Sequence, residues 1–281
     1  MAQFNRLVSV LIGPAGAESA IKVDELRVTF KIKKTSKADS NSCEIQIFNL
    51  SKNVREQLKE TGFVLILKAG YKDGAGLEDI YKGTITIIDH EHSGPDMITK
   101  FECGDKELQE TKFNASYKEG TSLKTILADI VKAFPLSSKV VESVKDGQQT
   151  NGMAFSGLAK DVLDKITKSL GLNWSIQDRA LQIIEPGKPN QDEVVFITPE
   201  TGLIGSPQRF EDKGKKENAA DNRPAWKVKS LLIPRISVGN VVSIESAEIK
   251  KNSFFVVNSI EHSGDTHGTD WTTDMEVFER K

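Results

Sequence analysis

Tyr81-Lys-Gly-Thr-Ile-Thr-Ile-Ile-Asp-His-Glu-His-Ser-Gly-Pro-Asp-Met-Ile-Thr-Lys-Phe-Glu102 decides the reading of the fold. Apolar residues alternate with polar ones, a Ser/Gly/Pro/Asp cluster interrupts them, and alternation resumes. That pattern encodes two antiparallel strands and their turn. A second stretch, Phe254 to Glu276, repeats the scheme and shares the tetrapeptide Glu-His-Ser-Gly (Glu91 to Gly94, Glu261 to Gly264). Two hairpins marked by one tetrapeptide at matching places point to an internal duplication.

Working outward, Leu7 to Ile12, Val23 to Lys33, Cys43 to Phe48 and Phe63 to Ala69 read as strands. In the second of these, Leu26, Val28, Phe30 and Ile32 alternate with charged or hydroxyl residues, so one face is apolar and one wet. Asn49-Leu-Ser51 caps a short helix over Lys52 to Glu60. The texture changes after Glu102. Leu123, Ile126, Leu127, Ile130, Val131 and Phe134 follow helical spacing between a Thr121 cap and Pro135. Ser138 to Asn151 reads as a surface loop. A second helix runs from Ser156 to Leu170 and ends at Gly171, and Asn173 to Ile184 forms a tight hairpin turning at Gln177 to Ala180. Strand character returns at Val194 to Ile197. Thr198 to Pro207 is a run of turn residues, and Glu211 to Pro224 is polar, charged and aperiodic, a long surface loop. Trp226 to Ile233, Val241 to Glu245 and the second hairpin complete the chain.

The fold class is therefore α+β, mainly β. Two similar small β-barrels, residues 1–110 and 191–281, flank a helix-helix-hairpin middle domain at 111–190, and the second barrel carries the 211–224 loop.

Bulk properties narrow the function. The 281 residues are 38% hydrophobic and 28% charged with a formal net charge of -2. A balance this close to neutral argues against nucleic acid as a specific partner. No run approaches a membrane span, and the N-terminus lacks the form of a signal peptide, so a cytoplasm-like setting is expected. Cys43 and Cys103 share faces with Ile45 and Phe101 and read as small buried hydrophobes, with a disulfide between them left open.

Chemistry finds few footholds. His90 and His92 lie on one strand face and would make half of a metal site, but His262 and His267 complete it only if the two hairpins meet, so strand-end histidines at solvent or an interface are the preferred reading. Asp89, Glu91, Glu102, Asp265 and Asp270 lie near turns without a spacing that forces an acid/base pair. No phosphate-loop, zincin, nucleophile-elbow or dinucleotide motif is present, so no enzyme and no cofactor or metal are expected.

Several textures resemble the baseplate hub proteins of contractile-tailed bacteriophages, a family that includes the hub of T-even phages and the late-control proteins. They are Ile45-Gln-Ile-Phe-Asn-Leu-Ser51 with Arg55, Val64 to Tyr71 before Tyr81-Lys-Gly83, Trp174-Ser-Ile-Gln177, Leu181-Gln-Ile-Ile184, Glu200 to Pro207, and Leu231 to Gly239. The resemblance implies a structural virion protein, assembled in the host cytoplasm into the tail baseplate. It implies a homotrimer whose two barrels per chain make a pseudo-sixfold ring, stacking on the sixfold tail tube and holding a threefold central spike. Its partners would be itself, the tail tube protein or a tube initiator, the spike and other baseplate proteins. The expected contacts are the hairpin ends, with His90, Glu91, His92 and Asp96 on one and His262, Asp265 and His267 on the other. Two alternatives stand beside this: a monomeric tail-associated carbohydrate- or peptidoglycan-binding module, and a tail hydrolase.

Overall fold

The computed structural model describes residues 5–16, 20–36, 41–58, 62–105, 110–140, 149–185, 188–189, 193–210, 224–249 and 252–280. It is mainly β. The chain begins with β1 (Arg6–Gly13), β2 (Ile21–Val23), β3 (Val28–Thr35), β4 (Ser42–Phe48), α1 (Lys52–Gln57), β5 (Val64–Tyr71), β6 (Gly76–Ser93) and β7 (Asp96–Gly104). Then come β8 (Lys112–Ser122), α2 (Leu123–Ala133), β9 (Ser137–Val140), β10 (Gln149–Leu158), α3 (Ala159–Leu170), β11 (Asn173–Gln177) and β12 (Ala180–Ile184). It closes with β13 (Val194–Ile197), a 3-10 turn at Pro199–Thr201, β14 (Leu203–Phe210), β15 (Ala225–Leu231), β16 (Val241–Ile244), β17 (Phe254–Asp265) and β18 (Trp271–Glu279).

The chain divides into two compact units. The first comprises Met1–Thr35, Asn41–Gly104 and Gly187–Lys281; the second comprises Ser36–Ser40 and Asp105–Pro186. The first unit is built on one sheet with the strand order β14-β15-β18-β17-β3-β4-β7-β6-β5-β1-β2, and β13 joins through β16 to β17. Its two halves, expected as separate barrels, thus share a sheet through the β3–β17 pairing. They keep largely separate cores. One gathers Val10, Ile32, Ile45, Leu67 and Phe101, and the other Val195, Val242, Phe255, Met275 and Val277. Alternation explains both: in β3 the inward residues are Val28, Phe30 and Ile32, and burying each such side chain is worth roughly 1.5–3 kcal/mol.

The helix α1 is capped as its sequence foretells, with the Ser51 hydroxyl accepting from the Val54 amide at 3.3 Å. It ends at Gln57, while the expected end at Glu60 lies outside the described residues. Cys43 and Cys103 stand directly opposite one another on β4 and β7, both buried and not joined by a disulfide.

The second unit packs α2 and α3 around a core of Ile126, Leu127, Ile130, Leu163, Ile166, Trp174 and Leu181. Phe134 takes extended angles and ends α2, because Pro135 disfavours helix in the residue before it. Gly171 closes α3 in the left-handed region, and Asp178 and Arg179 both carry positive φ in the β11–β12 turn, the geometry of a type I′ hairpin. One strand was not anticipated, and three expectations are corrected here. Lys112–Ser122 is a strand, with Phe113, Ala115 and Tyr117 on one face against the helices. Ser138 to Asn151, expected as loop, enters β9 and β10 at its ends, and its middle lies outside the described residues. Ser156 to Leu158 belongs to β10, so α3 begins only at Ala159, and the α2 cap is Ser122 because Thr121 turns its hydroxyl onto the Lys118 carbonyl. In the first unit, most of Thr198 to Pro207, read as turns, forms the 3-10 turn and the start of β14. The 211–223 part of the polar loop lies outside the described residues.

Candidate assembly interface

The two long hairpins, β6–β7 and β17–β18, carry the same ladder. Each has a bulge, between Ile85 and Ile87 in one and between Val257 and Ser259 in the other. Beyond the bulge Ile88 faces Phe101 and His90 faces Thr99; in the second copy Ile260 faces Met275 and His262 faces Thr273. The flanking bonds repeat too. Ile85 exchanges backbone bonds with Phe63 and Gly62 at 2.8 and 2.9 Å, and Val257 does so with Asn240 and Gly239 at 3.0 and 2.8 Å. On the other side, Ile45 and Ile47 face Phe101 and Thr99, as Val228 and Ser230 face Met275 and Thr273. So β5, β6, β7 and β4 correspond to β16, β17, β18 and β15. The shared tetrapeptides are out of step with this ladder: His90, not His92, occupies the place of His262. Glu261 to Gly264 lie wholly within β17, whereas Gly94 is already in the turn.

Equivalent positions have opposite surroundings. His262 is 1% exposed. Thr273 Oγ1 accepts the Ile233 amide at 3.0 Å, so its hydroxyl proton is free to donate to His262 Nδ1 at 2.9 Å. Burial, aided by nearby Lys34, lowers the His262 pKa to about 3, against the pull of a hydrogen bond to the Ile236 backbone. The imidazole is therefore neutral and architectural, holding the Ile233–Ile236 turn. His90 bonds Thr99 Oγ1 at 3.1 Å but sits at the surface; partial burial lowers its pKa more modestly.

The hairpin ends differ as sharply. At the β17–β18 end, Asp265 receives both Arg27 Nε at 3.2 Å and Nη2 at 2.7 Å. This bond is the main reason its carboxyl lies below the usual range and the guanidinium above its own. Arg6 adds bonds to the carbonyls of Asp265, Gly268 and Thr269 and stacks 5.3 Å from Trp271. Trp271 is buried edge-on to Phe30, over Gly264, where a Cβ would collide with the Phe30 ring. His267 at this end is exposed. The β6–β7 end is anchored by Asn49, which at positive φ donates to Asp96 at 2.8 Å and accepts the Met97 amide at 3.0 Å. There His92 and Ser93 are exposed, and Glu91 is half-buried beside Lys100.

Alternate antiparallel pairings from β17 through β3, β4 and β7 to β6 leave β6 and β17 pointing the same way, so both turns lie at one end of the sheet. A separate apolar cavity of about 250 Å³ is lined by Tyr71, Glu78, Phe196, Leu232, Pro234 and Arg235. Burial raises the Tyr71 hydroxyl pKa to about 12. Among the described residues no group of three or more His, Cys, Asp or Glu is placed to hold a metal ion, and no helix is long and apolar enough to cross a membrane.

This fold is shared with tail proteins. A prophage MuSo2 43 kDa tail protein from Shewanella oneidensis superposes with a TM-score of 0.66 at 11% identity, covering 96% of each chain. A tail protein from Neisseria meningitidis MC58 gives 0.67 at 12% identity, over 98% of this chain and 97% of that one. The E. coli c3393 protein gives 0.67 at 9% identity over 96% of this chain and 77% of its own; it is a type VI secretion component described as similar to the T4 phage tail proteins gp27 and gp5. No curated protein sequence matches the chain significantly. A family model described as baseplate hub gp41 matches residues 7–277. The chain belongs to that family of baseplate hub proteins and is a structural component of a phage tail.

Proposed function

We propose that this hub is a homotrimer that adapts the sixfold tail tube to a threefold central spike, without enzymatic activity or cofactor. In this reading residues 1–110 and 191–281 are the two tube-like barrels, and residues 111–190 are the middle domain of two helices and a hairpin. The carrying observation is the repeated ladder of bulge, isoleucine facing a large apolar side chain, and His–Thr pair. A chain with two equivalent half-units yields six around a threefold axis, which is what meeting a sixfold ring requires.

The two turns at one end of the sheet would form the rim that meets the tube or the spike, with Asp96 and its turn on one and His267 on the other. The sequence-derived set divides accordingly. His90, Glu91 and His92 lie on the stretch of β6 that pairs only with β7 among the described residues, while His262 and Asp265 hold the protein's own architecture. The carbohydrate-binding alternative needs exposed aromatics in the middle domain. Trp174 is buried there, with its indole donating to Asp164 at 2.8 Å.

Sedimentation equilibrium over a wide concentration range tests the proposal. A mass of three chains, alone or on adding the spike protein, supports it. A monomer unmoved by the spike overturns it.

A further inference from the structure

The intramolecular seam between β17 and β3 has a counterpart whose two sides are both open. β3 pairs with β4 as β14 pairs with β15: Val28, Lys31, Ile32 and Lys33 face Ile47, Glu44, Cys43 and Ser42, while Leu203, Gln208, Arg209 and Phe210 face Ser230, Lys227, Trp226 and Ala225. Since β4 corresponds to β15, β14 corresponds to β3. Yet β3 is covered on its far side by β17, whereas β14 ends the sheet among the described residues. Likewise β17 is covered by β3, whereas its equivalent, β6, pairs only with β7 over Ile87 to Ser93 among the described residues. Each chain therefore carries one closed seam and the two separated halves of a second.

We infer that β6 of one protomer pairs antiparallel with β14 of the next in the register of the internal seam, placing Asp89 opposite Phe210, His90 opposite Arg209 and Glu91 opposite Gln208. This rests on the trimer reading above and names its contact. The internal seam sets Glu261 opposite Lys33, His262 opposite Ile32 and Ser263 opposite Lys31, and the ladder equivalences carry those pairs across. The occupant is a second copy because this chain itself holds both matching edges, and a head-to-tail contact of this kind can close into a ring.

Two further features agree. Ile87 and Ile204, 48% and 39% exposed, stand on these two edges, apolar side chains that a strand partner would shield. The sterics are also matched. β17 presents Gly264 to the Phe30 ring, but β6 has the larger His92 at that place. The β14 bulge between Ile204 and Gln208 falls where β3 has Phe30, so the partner backbone departs from the regular ladder where His92 needs room. A free sheet edge otherwise invites aggregation, and this pairing removes two.

Directly opposed antiparallel residues have Cα atoms about 4.5–5.5 Å apart, within the span a disulfide bridges. Two double variants, His90→Cys with Arg209→Cys and Glu91→Cys with Gln208→Cys, should each convert from one-chain to three-chain bands on a non-reducing gel after mild oxidation. The crossed pair, His90→Cys with Gln208→Cys, should not, because its side chains point to opposite faces. Native Cys43 and Cys103 are buried neighbours and do not link chains. A trimer by sedimentation in which neither in-register pair links, or in which the crossed pair links better, overturns this register while leaving the trimer standing. A protein that stays monomeric with or without the spike overturns both.

Discussion

The β17–β18 hairpin and the β6–β7 hairpin share a bulge, an isoleucine facing a large apolar side chain and a His–Thr pair, yet one is locked into the molecule and the other stands at its surface. What separates them is their neighbours. β17 has β3 along its edge, Arg6 and Arg27 at its end and Trp271 beneath it; among the described residues β6 beyond its bulge has β7 and the Asn49 anchor. The same local fold thus serves as architecture in one half and as an available edge in the other. In a repeated protein, the copy that is already satisfied shows what the unsatisfied copy is built to meet.

Trp271→Ala should break the comparison most severely. Emptying a site this buried costs about 3–5 kcal/mol, whereas Met97→Ala, at the equivalent place in the open hairpin, should cost less than half as much; urea denaturation of both variants measures the difference. Acid should separate the histidines next. The unfolded chain binds a proton at His262 below its ordinary value of 6.5, but the folded chain refuses it down to about 3. This group's stabilisation is therefore complete above 6.5 and is lost as pH falls through that window, by roughly 1.4 kcal/mol per pH unit. In His262→Gln the slope of stability against pH should flatten between those limits, and in His90→Gln it should change much less.

Asp265→Asn should act more locally. With the charged partner of Arg27 removed, amide exchange at Thr266 to Asp270 should quicken while the sheet core keeps its protection. An unchanged rate would mean that Arg6 alone holds the turn. His92→Ala should leave stability within roughly 0.5 kcal/mol of the parent, since the side chain is exposed at a strand end; a larger loss in the isolated chain would show that the open hairpin is already committed.

Much of this was legible before folding. Alternation located β1, β3, β4, β5 and both hairpins, helical spacing located α2 and α3, and Gly171 marked its own left-handed cap. β8 escaped because Phe113, Ala115 and Tyr117 run straight into Gly120-Thr-Ser, which resembles a helix start. β14 escaped because Gly205 and Pro207 sit at its bulge and mimic a turn. The equivalence of the two hairpins was half legible. The tetrapeptide drew attention to the right hairpins but aligned His92 with His262, a slip of two residues. Strand side chains repeat every second residue, so such a slip keeps the face and goes unnoticed in sequence.

The order of residues by itself determined the local elements, the mainly β class and the presence of two related hairpins, because those follow from periodicity and turn chemistry within a few residues. Only the tertiary structure decided that Asp265 is spent on Arg27, that His262 is sealed away while His90 is not, and that, among the described residues, the Ile87 to Ser93 edge of β6 and the outer edge of β14 carry no strand. Those outcomes depend on which strand comes to lie beside which, and β3 meets β17 across most of the length of the chain, a distance no local pattern spans.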